Sequence, residues 1–133
     1  MTKEWWIEDL QDVEIFINKV RTILTTTEHQ FDIQATRKDE DPLDPHTTQN
    51  TLLSLDYDAD DVKKELITLK ASHYCKTGID RPRPTSPPFW FFERTIKGKS
   101  VYIKFKIRDE GNKKIFCMSF HFPRWPITDK PYA

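Results

Sequence analysis

The stretch Ser100–Phe122, SVYIKFKIRDEGNKKIFCMSFHF, alternates apolar and polar residues, breaks at Gly111-Asn112, and alternates again. Period two on either side of a short turn is the pattern of a β-hairpin with one buried and one wet face. A register follows from the turn. With Gly111 and Asn112 as loop residues, Glu110 faces Lys113. Counting outward then pairs Val101 with Phe122, Ile103 with Phe120, Phe105 with Met118 and Ile107 with Phe116 on an apolar face. The other face carries Tyr102 opposite His121, Lys104 opposite Ser119, Lys106 opposite Cys117 and Arg108 opposite Ile115. A one-residue slip would mix the two sets, so the apolar face favours this register. It gathers a phenol, an imidazole and several cations on one side of a rigid sheet. Such a face suits phosphate chemistry, and it also fits an ordinary solvated surface.

With 133 residues the chain is long enough for one core and too short for two, so a single domain over 1–133 is expected. No apolar run approaches the ~20 residues of a membrane helix. The start, MTKEWWIEDL, turns acidic within four residues and lacks the basic and apolar regions of a signal peptide. Cys75 and Cys117 form no CxxC and have no paired His spacing, so neither a disulfide framework nor a metal site is expected, and a reducing cytoplasm is the simplest home.

The zero net charge hides an asymmetry. Residues 1–70 carry 8 Lys+Arg against 16 Asp+Glu, and residues 71–133 carry 13 against 5. A basic half supports a local anionic partner, while the neutral total argues against bulk nucleic-acid binding. Two halves that neutralise each other across the fold are the alternative.

Trp6, Leu10, Val13, Ile17, Val20 and Leu24 step by three and four, which predicts an amphipathic helix over Glu4–Leu24, ended by Thr25-Thr26-Thr27. The polar segment from Gln34 to Asn50, with Pro42 and Pro45, predicts a long mobile loop. Residues 1–50 are thus a helix plus loop, and 51–133 a core of helix and sheet. In that core, Asp58 is an N-cap with Asp60 and Asp61 in the first turn, and Val62, Leu66, Leu69 and His73 share a face. Leu52, Leu53 and Leu55 suggest a short helix or turn before it. Gly78 suits a chain reversal, and Arg81–Pro88, with four prolines, reads as a stiff extended connector. Phe89–Ile96 is a further strand. A three-residue loop, Lys97-Gly98-Lys99, would set Arg94 opposite Tyr102, whereas a two-residue Gly98-Lys99 turn would aim its guanidinium at the core. The first is favoured. PRWPITDKPYA is expected to strap over the domain.

LDYDADDVKKELITLKASHY, then Gly78 and Asp80, then FWFFERTIKGKSVYIKFKI, then CMSFH and a proline-rich PYA ending resemble the MqsR-like toxins of type II toxin–antitoxin systems. The match runs from about Leu52 to Tyr132; VYIKFKI and CMSFH at their separation are its most specific pieces. The resemblance implies an α+β, RelE/ParE-like fold, with N-terminal helices packed on one face of a curved antiparallel sheet. It implies an mRNA-cleaving endoribonuclease that arrests growth and is held inactive by an antitoxin encoded nearby, with the ribosome a further candidate partner. It also carries over Lys76, Tyr102 and His121 as site positions. A glutamine of some members falls near Phe91 here, so trinucleotide specificity is not inherited.

RNA cleavage without a metal uses the substrate's own 2′-hydroxyl, so the protein must orient it, stabilise the phosphorane and protonate the 5′-oxygen. His121 titrates near neutrality and is the candidate acid or base. Tyr102 would align the phosphate or assist proton transfer, and Lys76, Arg94 and Lys104 would supply fixed charge. Lys106 and Arg108, with Lys97 and Lys99 in the neighbouring turn, are the expected RNA-backbone contacts. No cofactor or metal is called for. A degenerate toxin that binds a protein or nucleic acid on the same face without cleaving is the competing class. The acidic first half would shape the antitoxin interface or repel RNA from the non-catalytic side.

Overall fold

A computed structural model of the chain describes residues 4–133. Its frame is a six-stranded sheet in the order β1-β3-β4-β5-β6-β2. The strands are β1 (Trp5–Trp6), β2 (Gln30–Ile33), β3 (Tyr74–Gly78), β4 (Phe89–Ile96), β5 (Lys99–Asp109) and β6 (Lys114–His121). The helices are α1 (Leu10–Thr25), α2 (Thr48–Leu55) and α3 (Ala59–Ile67), with a short 3-10 turn at Ala71–His73. The architecture is α+β, as expected. The sheet is mixed rather than antiparallel, because β2 runs parallel to β6. The helices fall between strands β1, β2 and β3 rather than forming one N-terminal block.

All three helices cover one face. Val13, Ile17, Val20 and Leu24 of α1, Leu55 of α2, and Val62 and Leu66 of α3 pack with Phe92, Val101, Ile103, Phe105 and Phe120 in one core. From Val13 onward the α1 stripe is therefore core, but the helix starts at Leu10 instead of Glu4, and Leu10 itself is 44% exposed. Two residues of the expected first turn are paired in a strand instead, Trp5 with Gly78 and Trp6 with Thr77. Gly78 accordingly lies inside a sheet, between Trp5 and Phe89, and not at a reversal. A Cβ there would sit 3.2 Å from the Phe91 ring. The start of α3 is as expected. Asp58 and Asp61 form a reciprocal capping box, each side chain accepting from the other's backbone N–H.

The hairpin keeps its expected register at the open end: Tyr102 opposes His121, Ile103 opposes Phe120 and Lys104 opposes Ser119. A bulge at Met118 then slips β6 by one residue, pairing Phe105 with Cys117, Lys106 with Phe116 and Ile107 with Ile115. Cys117 and Ile115 turn into the core at 0% and 1% exposure, while Phe116 and Met118 face outward, the reverse of the expected assignment. Residues 115–118 are four apolar residues in a row, so period two alone does not choose which pair goes inside. Arg108 is likewise extra on β5, and Asp109 recovers its partner Lys114.

The β4–β5 turn is the tight two-residue form. Lys97 and Gly98 have φ of 51° and 78°, the left-handed pair that fits the twist of a hairpin. Glu93 therefore opposes Tyr102, and Arg94 opposes Val101 on the helix-covered face. The proline-rich connector is not extended. It folds into turns in which the Arg83 N–H donates to the Asp80 carbonyl and the Ser86 N–H to that of Arg83. The polar loop is irregular up to α2 but is tied to β6: the Gln34 N–H donates to the Cys117 carbonyl and His46 Nδ1 to that of Phe122. The tail does act as a strap. Lys130 reaches Glu93 at 2.8 Å, and the Tyr132 hydroxyl donates to the Glu8 carbonyl at 2.5 Å.

Candidate active site

With the helices on one side, the other face of β3–β6 is left to the outward-pointing residues. Lys76 comes from β3, Phe91 from β4, Tyr102 and Lys104 from β5, and His121 from β6. They form a continuous row. Lys76 Nζ lies 5.1 Å from the centre of the Phe91 ring, and Lys104 Nζ lies 5.2 Å from it. Phe91 is 5.9 Å from the Tyr102 ring, and Tyr102 is 5.3 Å from the His121 ring, centroid to centroid. Phe91 thus takes the position where a polar residue was sought and serves as an aromatic floor beneath two ammonium groups.

Half-burial tunes these groups. His121 is pushed below the ordinary histidine value by burial, partly offset by the Phe122 carbonyl, with the charge of Arg37 acting in the same direction as burial. At neutral pH it is the neutral imidazole. Its Nδ1 lies 3.2 Å from the Phe122 carbonyl, which can only accept, so Nδ1 carries the proton and Nε2 the lone pair. Burial raises the Tyr102 phenol, which stays protonated and able to donate. Burial first, and then Arg37, lowers the Lys104 ammonium. Such a lysine gives up its proton more readily than a solvated one.

Arg37 is the member that sequence reasoning missed. One of its terminal nitrogens donates to Ser119 Oγ at 2.6 Å and to the Met118 carbonyl at 3.1 Å. The guanidinium thereby satisfies the carbonyl freed at the β6 bulge and stands beside His121, both lining a cavity of about 310 Å³. Nothing in its aperiodic loop distinguishes Arg37 from Lys38. The signal would have been the bulge itself.

Three expected site residues are placed otherwise. Arg94 is on the covered face, where it donates to the Glu65 carbonyl and Thr68 Oγ1, both at 2.8 Å, and closes the C-terminal end of α3. The two-residue turn is the reason. Lys97 performs the same task for α2, donating to the Leu55 carbonyl at 2.6 Å. Lys106 is on the outer face but lies under the proline-rich turns, 2.8 Å from Asp80 with both side chains buried, so it is not free for a phosphate. Arg108 and Lys99 remain exposed, over Phe116 at 4.1 Å and Phe122 at 5.1 Å.

Among the described residues no group of three or more His, Cys, Asp or Glu is placed to hold a metal ion. Nor is any helix long and apolar enough to cross a membrane. What the row offers is a neutral base, a phenol donor and three cations. No family model, curated protein or solved structure matches this chain.

Proposed function

We propose that the chain is a toxin-like endoribonuclease of RelE/ParE-like architecture, cleaving mRNA without a metal. The observation that carries this reading is the Tyr102–His121 juxtaposition, rings 5.3 Å apart, on the sheet face that bears no helix. The flanking cations Lys76, Lys104 and Arg37 support it.

In this mechanism His121 Nε2 removes the proton of a ribose 2′-hydroxyl. The freed oxygen attacks the adjacent phosphorus, and Lys76 and Arg37 balance the extra charge of the phosphorane. Tyr102 donates a hydrogen bond to a non-bridging oxygen. The P–O5′ bond breaks as Lys104 protonates the leaving oxygen, giving a 2′,3′-cyclic phosphate and a 5′-hydroxyl. Arg94, expected in the charge-supplying role, is replaced there by Arg37. Arg108 and Lys99 are left as backbone contacts. The partners proposed are mRNA, the ribosome that carries it, and a small antitoxin from a neighbouring reading frame.

Inducing the protein alone in a bacterium tests this. Growth arrest should disappear in His121→Ala and Tyr102→Phe, with purified protein yielding cyclic-phosphate ends. The His121 variant should lose about 10²–10⁴-fold in rate, the usual worth of a positioned acid or base. Normal growth and intact mRNA from folded protein would sink the enzyme. If that protein still bound RNA, the non-cleaving binding module would take its place, a reading favoured by the apolar Phe91 at the centre of the face.

A further inference from the structure

We infer that the cavity between Trp5 and the C-terminal strap is the seat of one nucleobase of the bound RNA, stacked on the Trp5 indole; this rests on the ribonucleic-acid reading of the adjoining face. The cavity, about 470 Å³, is walled by Trp5, Ile7, Pro126 and Ile127, and Lys76 and Tyr102 line it as well. It is thus continuous with the catalytic row rather than remote from it.

Trp5 is 56% exposed, yet it is not on a loose end. Its backbone pairs with Gly78, and the Glu4 carbonyl accepts from the Ile79 N–H at 2.9 Å, so the indole is carried on a sheet edge. An exposed indole held by strand pairing is a stacking platform ordered in advance, which lowers the entropic cost of binding. Lys76 Nζ is 5.5 Å from the Trp5 ring and 5.1 Å from the Phe91 ring, so its charge is held between two aromatics. A nucleotide joins a flat aromatic base to an anionic phosphate through one sugar. With the phosphate at Lys76 and Tyr102, the base falls into the space beside Trp5. Asp129, at the same cavity, offers acceptor oxygens to a base edge. The neighbouring cavity, about 350 Å³, also has Trp5 and Lys76 among its walls but continues to Lys104 and Phe89, which suits the onward backbone.

The test uses the full chain and 2′-O-methylated hexaribonucleotides, which cannot be cleaved: one complete, and a set in which a single abasic sugar moves along the successive positions. Isothermal titration should show one position where loss of the base weakens binding about tenfold, the usual scale of base–aromatic stacking. Trp5→Ala should weaken the complete hexamer by a similar factor, leave the hexamer abasic at that position unchanged, and be rescued by Trp5→Phe. Ile127→Trp, which fills the cavity from the opposite wall, should reproduce the loss without touching β1. Equal weakening of both hexamers by Trp5→Ala, or none, overturns the pocket while leaving the cleavage reading standing. Hexamers bound with the expected pattern by a protein that cleaves no RNA would keep the pocket and remove the ribonuclease. No binding by the wild type overturns both.

Discussion

Period two along β5 sets Lys106 on the same face as Tyr102 and Lys104, and there it lies, but Asp80, Ser86 and the Pro87 carbonyl all accept from its ammonium. The alternation was legible; the cover was not, because it comes from a turn 20 residues away in sequence. Burial alone would raise the Asp80 carboxyl, but the hydrogen bond and charge of Lys106 more than offset it and hold the group below the usual range. Lys106→Ala removes one partner and leaves a buried carboxylate uncompensated. It should lower unfolding stability by about 3 kcal/mol in urea titrations, whereas the joint replacement Asp80→Asn with Lys106→Met should lose clearly less. RNA cleavage by the folded fraction should be unchanged. His121 gives a second check. Its value in the fold is depressed, so the folded protein holds fewer protons than the unfolded chain between that value and about 6.5. Stability should therefore fall as pH drops from 7 through this window, and His73, also depressed chiefly by burial, adds to the slope. His121→Gln should flatten the slope between pH 7 and 5, and an unaltered slope would show that the imidazole is not desolvated. The same depression should put the acidic limb of the free-enzyme pH–rate profile below 6.5.

Elements were legible where one local rule decides them. The capping box at Asp58 and Asp61 and the buried side of α1 could be read from residue type and spacing alone. Three strands escaped. β1 has two residues, β2 four and β3 five, and all depend on a partner edge rather than on a pattern of their own. The bulge in β6 escaped because residues 115–118 are apolar on both faces. The fate of Arg94 hung on one loop residue. A two-residue Lys97-Gly98 turn sends it under the helices, where Glu65 and Thr68 at the C-terminal end of α3 engage one terminal nitrogen while Nε stays buried without a partner. That turn makes its own prediction. Gly98 has φ +78°, and nothing lies within 4 Å of the point a Cβ would occupy, so Gly98→Ala meets no clash and should cost about 1 kcal/mol from backbone conformation alone. Chemical denaturation should read this as a lowered midpoint at constant m-value. A changed m-value would mean that the hairpin had slipped register.

At the scale of the whole molecule, the acidic half of the sequence divides: Asp12 and Glu14 of α1 and Asp60, Asp61 and Glu65 of α3 go with the helices, whereas one run does not. The acidic run Asp39-Glu40-Asp41 shares a cavity with Arg37, His121 and Arg124, beside the proposed catalytic row and not behind it. Its loop is held there by Arg124 on Asp44, by Asn50 donating to the Pro42 and Asp44 carbonyls, and by Arg37 on the β6 bulge. Repulsion of RNA from the far side, one role expected of the acidic half, therefore does not extend to this run. Instead the run lowers the positive potential at one end of the groove while Lys76 and Lys104 raise it at the other, so a polyanion is steered in one direction along the face. Screening reaches about 10 Å at 0.1 M salt, which makes this steering a low-salt effect. The combined variant Asp39→Asn, Glu40→Gln, Asp41→Asn should cleave an RNA hexamer several-fold faster than wild type at about 0.02 M salt. The gain should appear in kcat/KM rather than kcat and vanish above about 0.5 M, where surface charges no longer act at a distance. A gain that persists in high salt would instead mean that the run contacts the reacting groups through Arg37, and an unchanged rate at all salts would show that RNA enters from the Trp5 side alone.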